Sequence, residues 1–202
     1  MALSWHATKE GERGKQRLPP DISPVDDLEV DLGQKKQIFL KRFLMEFSRC
    51  ANPANMGLNE AYSAHPQVMH EGDALFPELA LLSLFKKEGW SGAWADTAHR
   101  KFFTIMPNKS KGLTLDTYVS QTLARISGNC APGRCECWGL VIWQGKTLLF
   151  VETRETPTND RIGKARLEWL RAALRSGLSQ SQFMVVDWSY RKTVIVRRRQ
   201  RL

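Results

Sequence analysis

The 202-residue chain has no apolar run near the roughly 18 residues that a membrane span requires. Its first fifteen residues lack the apolar core of a signal peptide. The expectation is a cytoplasmic protein with no membrane partner. No internal repeat is visible. There is no Gly-x-x-x-x-Gly-Lys loop to cradle phosphates and no Gly-x-Ser-x-Gly elbow to present a serine. Acid is missing from the C-terminal end. No Asp or Glu follows Asp187, while Arg191, Lys192, Arg197, Arg198, Arg199 and Arg201 do. Those six carry most of the +9 net charge. A basic tail attracts polyanions without reading sequence, or keeps a chain soluble.

Cysteine is scarce as well, with four in the chain: Cys50, Cys130, Cys135 and Cys137. Zinc sites usually place two residues between paired cysteines. Here the gaps are four and one, and no histidine follows. That spacing argues against zinc and for reduced loop or buried thiols. What is present is ordinary for a globular chain. Apolar residues make up 42% and charged residues 25%, which excludes a collagen-like, coiled-coil or wholly disordered protein. The length fits one domain with appendages.

Residues 1–33 are polar and broken by Pro19, Pro20 and Pro24, and read as a mobile arm. In the 34–75 stretch, Phe39, Leu40, Phe43, Leu44 and Phe47 recur at helical spacing, opposite Lys35, Lys36, Lys41 and Arg42. The spacing predicts an amphipathic helix over Gln34–Arg49, followed by a long loop. From Phe76 to Val196 the pattern is that of an α/β domain, with a basic tail at 197–202. A helix over Phe76–Gly89 is followed by an aromatic turn at Trp90–Trp94. A strand over Arg100–Ile105 and a helix over Thr114–Ser127 come next. A hairpin turns at Gln144–Lys146, a helix runs to Arg175, and strands lie at Gln182–Trp188 and Thr193–Val196. Strands flanked by helices predict a mixed sheet covered on both faces.

Glu152 and Arg154 end an apolar strand, and residues two apart share a strand face. An acid and a cation side by side can hold a metal and a phosphate, or simply pair at the surface. Trp143, Trp169 and Trp188 fall on apolar faces and read as core. Trp90 and Trp94 lie among small residues and read as exposed. His99, beside Arg100 and Lys101, reads as a surface histidine, with phosphate contact as the sharper alternative.

The context of Glu152 is more specific. Gly139-Leu-Val-Ile-Trp143, Leu149-Phe-Val-Glu-Thr-Arg154, Asp160-Arg161-Ile162 and Glu168-Trp169-Leu170 together resemble the PD-(D/E)xK nuclease superfamily, and within it the VRR-NUC branch. The resemblance covers about Trp138 to Trp188. It implies a restriction-endonuclease-like mixed α/β sheet flanked by helices, and a metal-dependent DNA nuclease using Mg²⁺ or Mn²⁺. Such hydrolysis needs acids to hold the metal and a cation to steady developing charge. Glu152 matches the metal-binding acid, and Arg154 stands at the lysine position. Glu78 is the candidate for the upstream helical acid. Arg161 and Arg166 on the following helix, with Arg197, Arg198, Arg199 and Arg201, are the expected nucleic-acid contacts.

The chain departs from the family pattern at three places. Gly139 stands where the family has a metal-binding Asp. Arg154 cannot act as a base. Arg166 stands where the helix usually has Gln. Glu136, re-aimed by a bulge, and Asp160 are the candidate rescuers of Gly139. The alternative is a catalytically degraded nuclease fold that binds nucleic acid or a protein partner without cleavage. A third reading, from another class, is a protein-interaction subunit whose partner docks on the Gln34–Arg49 helix, and a homodimer or a partner chain is a further way to complete a site that looks incomplete.

Overall fold

A computed structural model describes residues 17–50, 60–109, 111–131, 133–156 and 161–191. Ten strands run in chain order as β1 (Ser23–Pro24), β2 (Leu28–Asp31), β3 (Gln37–Arg49), β4 (Val68–His70), β5 (Asp73–Leu75), β6 (Ser91–Asp96), β7 (Lys101–Phe103), β8 (Leu140–Gln144), β9 (Thr147–Glu155) and β10 (Phe183–Tyr190). Among the described residues three α-helices, α1 (Pro77–Lys87), α2 (Thr117–Gly128) and α3 (Lys164–Arg175), accompany the strands. One mixed sheet has the order β5-β4-β3-β10-β9-β8-β6-β7, with β1 and β2 also paired to β3. β3, β10 and β9 are parallel, and the other pairs are antiparallel. The chain is thus mixed α/β, as its sequence pattern predicts.

The sheet buries two apolar layers. On one face, α1 inserts Leu79, Leu82 and Phe85 among Leu140, Ile142, Leu149, Val151, Met184 and Val186. On the other, Val119 and Ile126 of α2 and Trp169 and Leu170 of α3 cover Val141, Leu148, Phe150, Phe183 and Val185. Alternate residues of β8, β9 and β10 therefore serve opposite cores, as a strand covered on both faces requires. Gly92 permits the close approach of α1. A Cβ there would lie 2.6 Å from Leu82 Cδ1 and 3.0 Å from the Val141 carbonyl oxygen. Gly89 and Gly177, at φ of +81° and +88°, follow the ends of α1 and α3, where left-handed backbone suits glycine.

The main correction concerns the predicted Gln34–Arg49 helix, which is the long strand β3. Ile38 and Leu40 face the α3 core, whereas Phe43, Met45 and Phe47 face the α1 core. The buried set changes phase across Lys41–Arg42, so the step from Leu40 to Phe43 is three residues. That step imitates helical spacing while each half alternates as a strand. β3 is paired with β10 over Lys41–Phe47, and with β2, β1 and β4 on its other side. No amphipathic helix is there to dock a partner.

Residues 17–33 are likewise not a free arm where described. Leu28 and Val30 of β2 are buried in the α3 core. The predicted aromatic turn at Trp90–Trp94 is mostly strand β6, and both tryptophans are buried rather than exposed. Trp169 and Trp188 are core, as expected, and Trp143 packs at the core's edge. The predicted strand at Thr193–Val196 and the basic tail lie outside the described residues. Among the described residues, no helix is long and apolar enough to cross a membrane.

Candidate functional site

Glu152 sits near the end of β9 on the face covered by α3, and it is 5% exposed. Two groups occupy its carboxylate. Arg166, in the first turn of α3, donates Nη1–H to Oε1. The backbone N–H of Gly139 donates to Oε2 at 3.4 Å. Burial pushes the Glu152 carboxyl above its ordinary range, and Arg166 offsets this only in part. Two further bonds anchor α3 to the segment before β8. The Trp138 indole N–H donates to the Arg166 carbonyl at 3.2 Å, and the Glu136 N–H donates to the Ala165 carbonyl at 3.2 Å.

Glu78 reaches the same end of the sheet from the other face. It lies in the first turn of α1, where the helix dipole favours an acid. His65 Nε2 lies 3.1 Å from Glu78 Oε2, and the Thr153 hydroxyl donates to Oε1 at 3.1 Å. Burial would raise this carboxyl, but the His65 bond and charge, with Thr153, outweigh it and hold it below the ordinary value. Thr153 points to the α1 face because its neighbours Glu152 and Arg154 point to the other. The two acids therefore approach from opposite sides, and Gly139 lies between them. A Cβ at position 139 would stand 3.4 Å from Thr153 Oγ1 and 3.8 Å from Glu78 Cγ.

Arg154 shares the face of Glu152, as the strand period requires, but it is not free. Its Nε donates to Asp187 Oδ1 at 2.8 Å and its Nη2 to Oδ2 at 3.1 Å. Arg42 of β3 donates to the same carboxylate through Nε. Asp187, 1% exposed in the central strand β10, thus ties β3 to β9. Removing either charge from such a buried pair leaves the other desolvated and unpaired. Arg154 is a structural cation here rather than one facing solvent.

The candidate rescuers of Gly139 fare differently. Glu136 has a half-exposed side chain whose Oε2 lies 4.0 Å from Arg166 Nε. It shares the arginine with Glu152 and adds no oxygen to Glu78. Asp160 lies outside the described residues, as do Arg197, Arg198, Arg199 and Arg201. Arg161 is exposed. The cysteines depart from the expectation of reduced thiols. Cys130 and Cys135 form a disulfide with Cα atoms 6.0 Å apart. Cys137 is a free thiol beside the Glu152–Arg166 pair, and burial pushes it up to about 12. The Arg134 N–H closes on the Ala131 carbonyl at 3.1 Å between Cys130 and Cys135, a local turn that counting gaps for a metal motif does not reveal.

A second polar group adjoins this site. Asp96, at the end of β6, is 5% exposed. It accepts the Tyr62 hydroxyl and His99 Nδ1 on Oδ2, the latter at 2.7 Å, and the His99 backbone N–H on Oδ1 at 3.2 Å. The preceding Ala95 N–H donates to the Gly139 carbonyl at 2.9 Å, so the two groups are contiguous. Tyr62 and His65 also share the wall formed by Phe76 and Trp94. Of these residues the sequence pattern marks His99 as a candidate phosphate contact, whereas Tyr62, Asp96 and Asp187 have no motif of their own. The one signal available was a single acid inside each of two apolar strands, β6 and β10.

The residues present do not fit a catalytic Mg²⁺ or Mn²⁺. Such ions take several oxygen ligands. Position 139 supplies none, and Glu152 already holds a guanidinium. No protein-family model, curated protein or solved structure matches this chain.

Proposed function

We propose that this chain is a restriction-endonuclease-like domain that binds nucleic acid, most simply DNA, without cutting it. The observation that carries this reading is the Arg166–Glu152 pair. A hydrolytic site needs the acid of its second hairpin strand open to a metal. Here a cation from α3 neutralises that acid, and glycine replaces the neighbouring acid. The positive charge of the chain supports a polyanionic partner, and the motifs around Glu152 support the nuclease lineage. No hydrolytic step is assigned to these residues.

The test joins binding and cleavage. Anisotropy with single-stranded, duplex and branched DNA should show binding that weakens at least about tenfold between about 50 and 200 mM salt, as released counterions require. Incubation with Mn²⁺ or Mg²⁺ should leave each substrate intact. Metal-dependent cleavage that disappears in Glu152→Ala and with EDTA would replace this reading with an active nuclease.

A further inference from the structure

The turn between β6 and β7 holds an imidazole in an arrangement that solubility does not require. Asp96 is nearly inaccessible, yet both of its oxygens serve His99, one through the ring and one through the backbone. Tyr62 adds its hydroxyl to the oxygen that holds the ring. Burial and then the Asp96 bond push the Tyr62 phenol above its ordinary range, so it remains a donor. A carboxylate only accepts, so the Nδ1 of His99 carries the proton and Nε2 is the free ring position. The His99 side chain is 40% exposed.

The next two residues are cations. Arg100 and Lys101 are both exposed, and neither is paired with an acid among the described residues. Arg100 has a φ of +54°, a left-handed conformation uncommon for arginine. Lys101 is the register partner of Asp96 across the hairpin. One short turn thus presents an oriented imidazole and two cations, with the local acid turned inward. It lies at the sheet end that carries Gly139 and Glu78.

We propose that His99, Arg100 and Lys101 form a phosphate-binding site for the nucleic-acid backbone, with Asp96 and Tyr62 as positioning residues. The inference rests on the nucleic-acid reading above and names where one phosphate is held. When protonated, His99 donates Nε2–H to a phosphate oxygen, and Arg100 and Lys101 supply charge. The charged and titratable groups facing the ring are Asp96 and Tyr62, with Arg100 beside it. Binding is therefore tighter when both ring nitrogens carry a proton than when only Nδ1 does.

The test uses the full chain and two probes, inorganic phosphate and a single-stranded oligonucleotide. NMR follows the His99 ring protons during phosphate titration. Anisotropy follows the oligonucleotide at about pH 5.5 and about pH 8. Wild type should bind about tenfold more tightly at the lower pH, the scale of a charge-assisted hydrogen bond. His99→Gln, with its fold checked by thermal melting because the ring bonds the buried Asp96, should abolish that difference. Asp96→Asn should shrink it while leaving Arg100 and Lys101 in place. Arg100→Ala with Lys101→Ala should weaken binding at both pH values.

Phosphate shifts at His99 without oligonucleotide binding would uphold the site and defeat the nucleic-acid reading. Oligonucleotide binding whose pH dependence survives His99→Gln would overturn the site and leave that reading standing. Neither response would overturn both.

Discussion

Arg166 is seated on Glu152. Its guanidinium reaches from the first turn of α3 to a carboxylate buried on β9, and it also lies within 4.0 Å of Glu136. This relationship fixes α3 against the sheet and closes the acid that a metal would need.

Breaking the pair from one side should therefore be costly. Arg166→Gln leaves Glu152 buried with only the Gly139 N–H as donor, and a loss of about 3 kcal/mol is expected. Urea unfolding at neutral pH reads it. Adding Glu152→Gln should recover part of the loss, because the two sites are coupled. An unchanged midpoint in Arg166→Gln would show that the pair contributes nothing.

Gly139→Asp tests whether position 139 lies where an acid would complete a cation site. The new carboxylate would stand beside Glu78 and repel it. Melting in EDTA should fall by a few degrees, about 2–4 °C per kcal/mol for a chain of this size. Mn²⁺ should restore the variant and leave wild type unmoved, through preferential binding to the folded state. Equal melting with and without Mn²⁺ would refute this placement.

Acid should unfold the protein partly through Glu78. Its carboxyl titrates below the ordinary value in the fold, because of His65 and Thr153 against the effect of burial. Its contribution is complete above the ordinary carboxylate value, about 4.3, and is lost as pH falls through the lowered one. Stability measured from about pH 6 downward should fall less steeply in Glu78→Gln than in wild type. Parallel curves would assign the acid limb to other groups.

The β2–β3 turn offers a stabilising change. Gln34 and Lys35 have φ of +52° and +61°, and the Lys36 N–H closes the turn on the Gly33 carbonyl at 3.0 Å. Both central residues of this turn are left-handed, a conformation that Asn-Gly adopts with less strain. Gln34→Asn with Lys35→Gly should add about 1 kcal/mol. A lower denaturation midpoint would mean that these side chains hold the turn by contacts of their own.

Local spacing along the chain is enough for the elements whose apolar period is unbroken. α3 has one covered face, α1 is an apolar run between Pro77 and Gly89 that is buried on most sides, and β8 and β9 are short apolar runs joined by Gln144-Gly145-Lys146. Local spacing suffices in such cases. It also placed Glu152 and Arg154 on one face, because the strand period is two. The rest depends on how distant segments pack. β3 changes core at Lys41–Arg42, and nothing local says that a strand will bury its two halves against different helices. Arg42, Arg154 and Asp187 come from three strands, and their pairing depends on register. The setting of Glu152 depends on where α3 crosses the sheet. Tyr62, Asp96 and His99 meet because the 60–62 segment packs on the end of β6. Such contacts join residues far apart in the chain, and their partners are chosen by sheet order, which the spacing within any one segment does not contain.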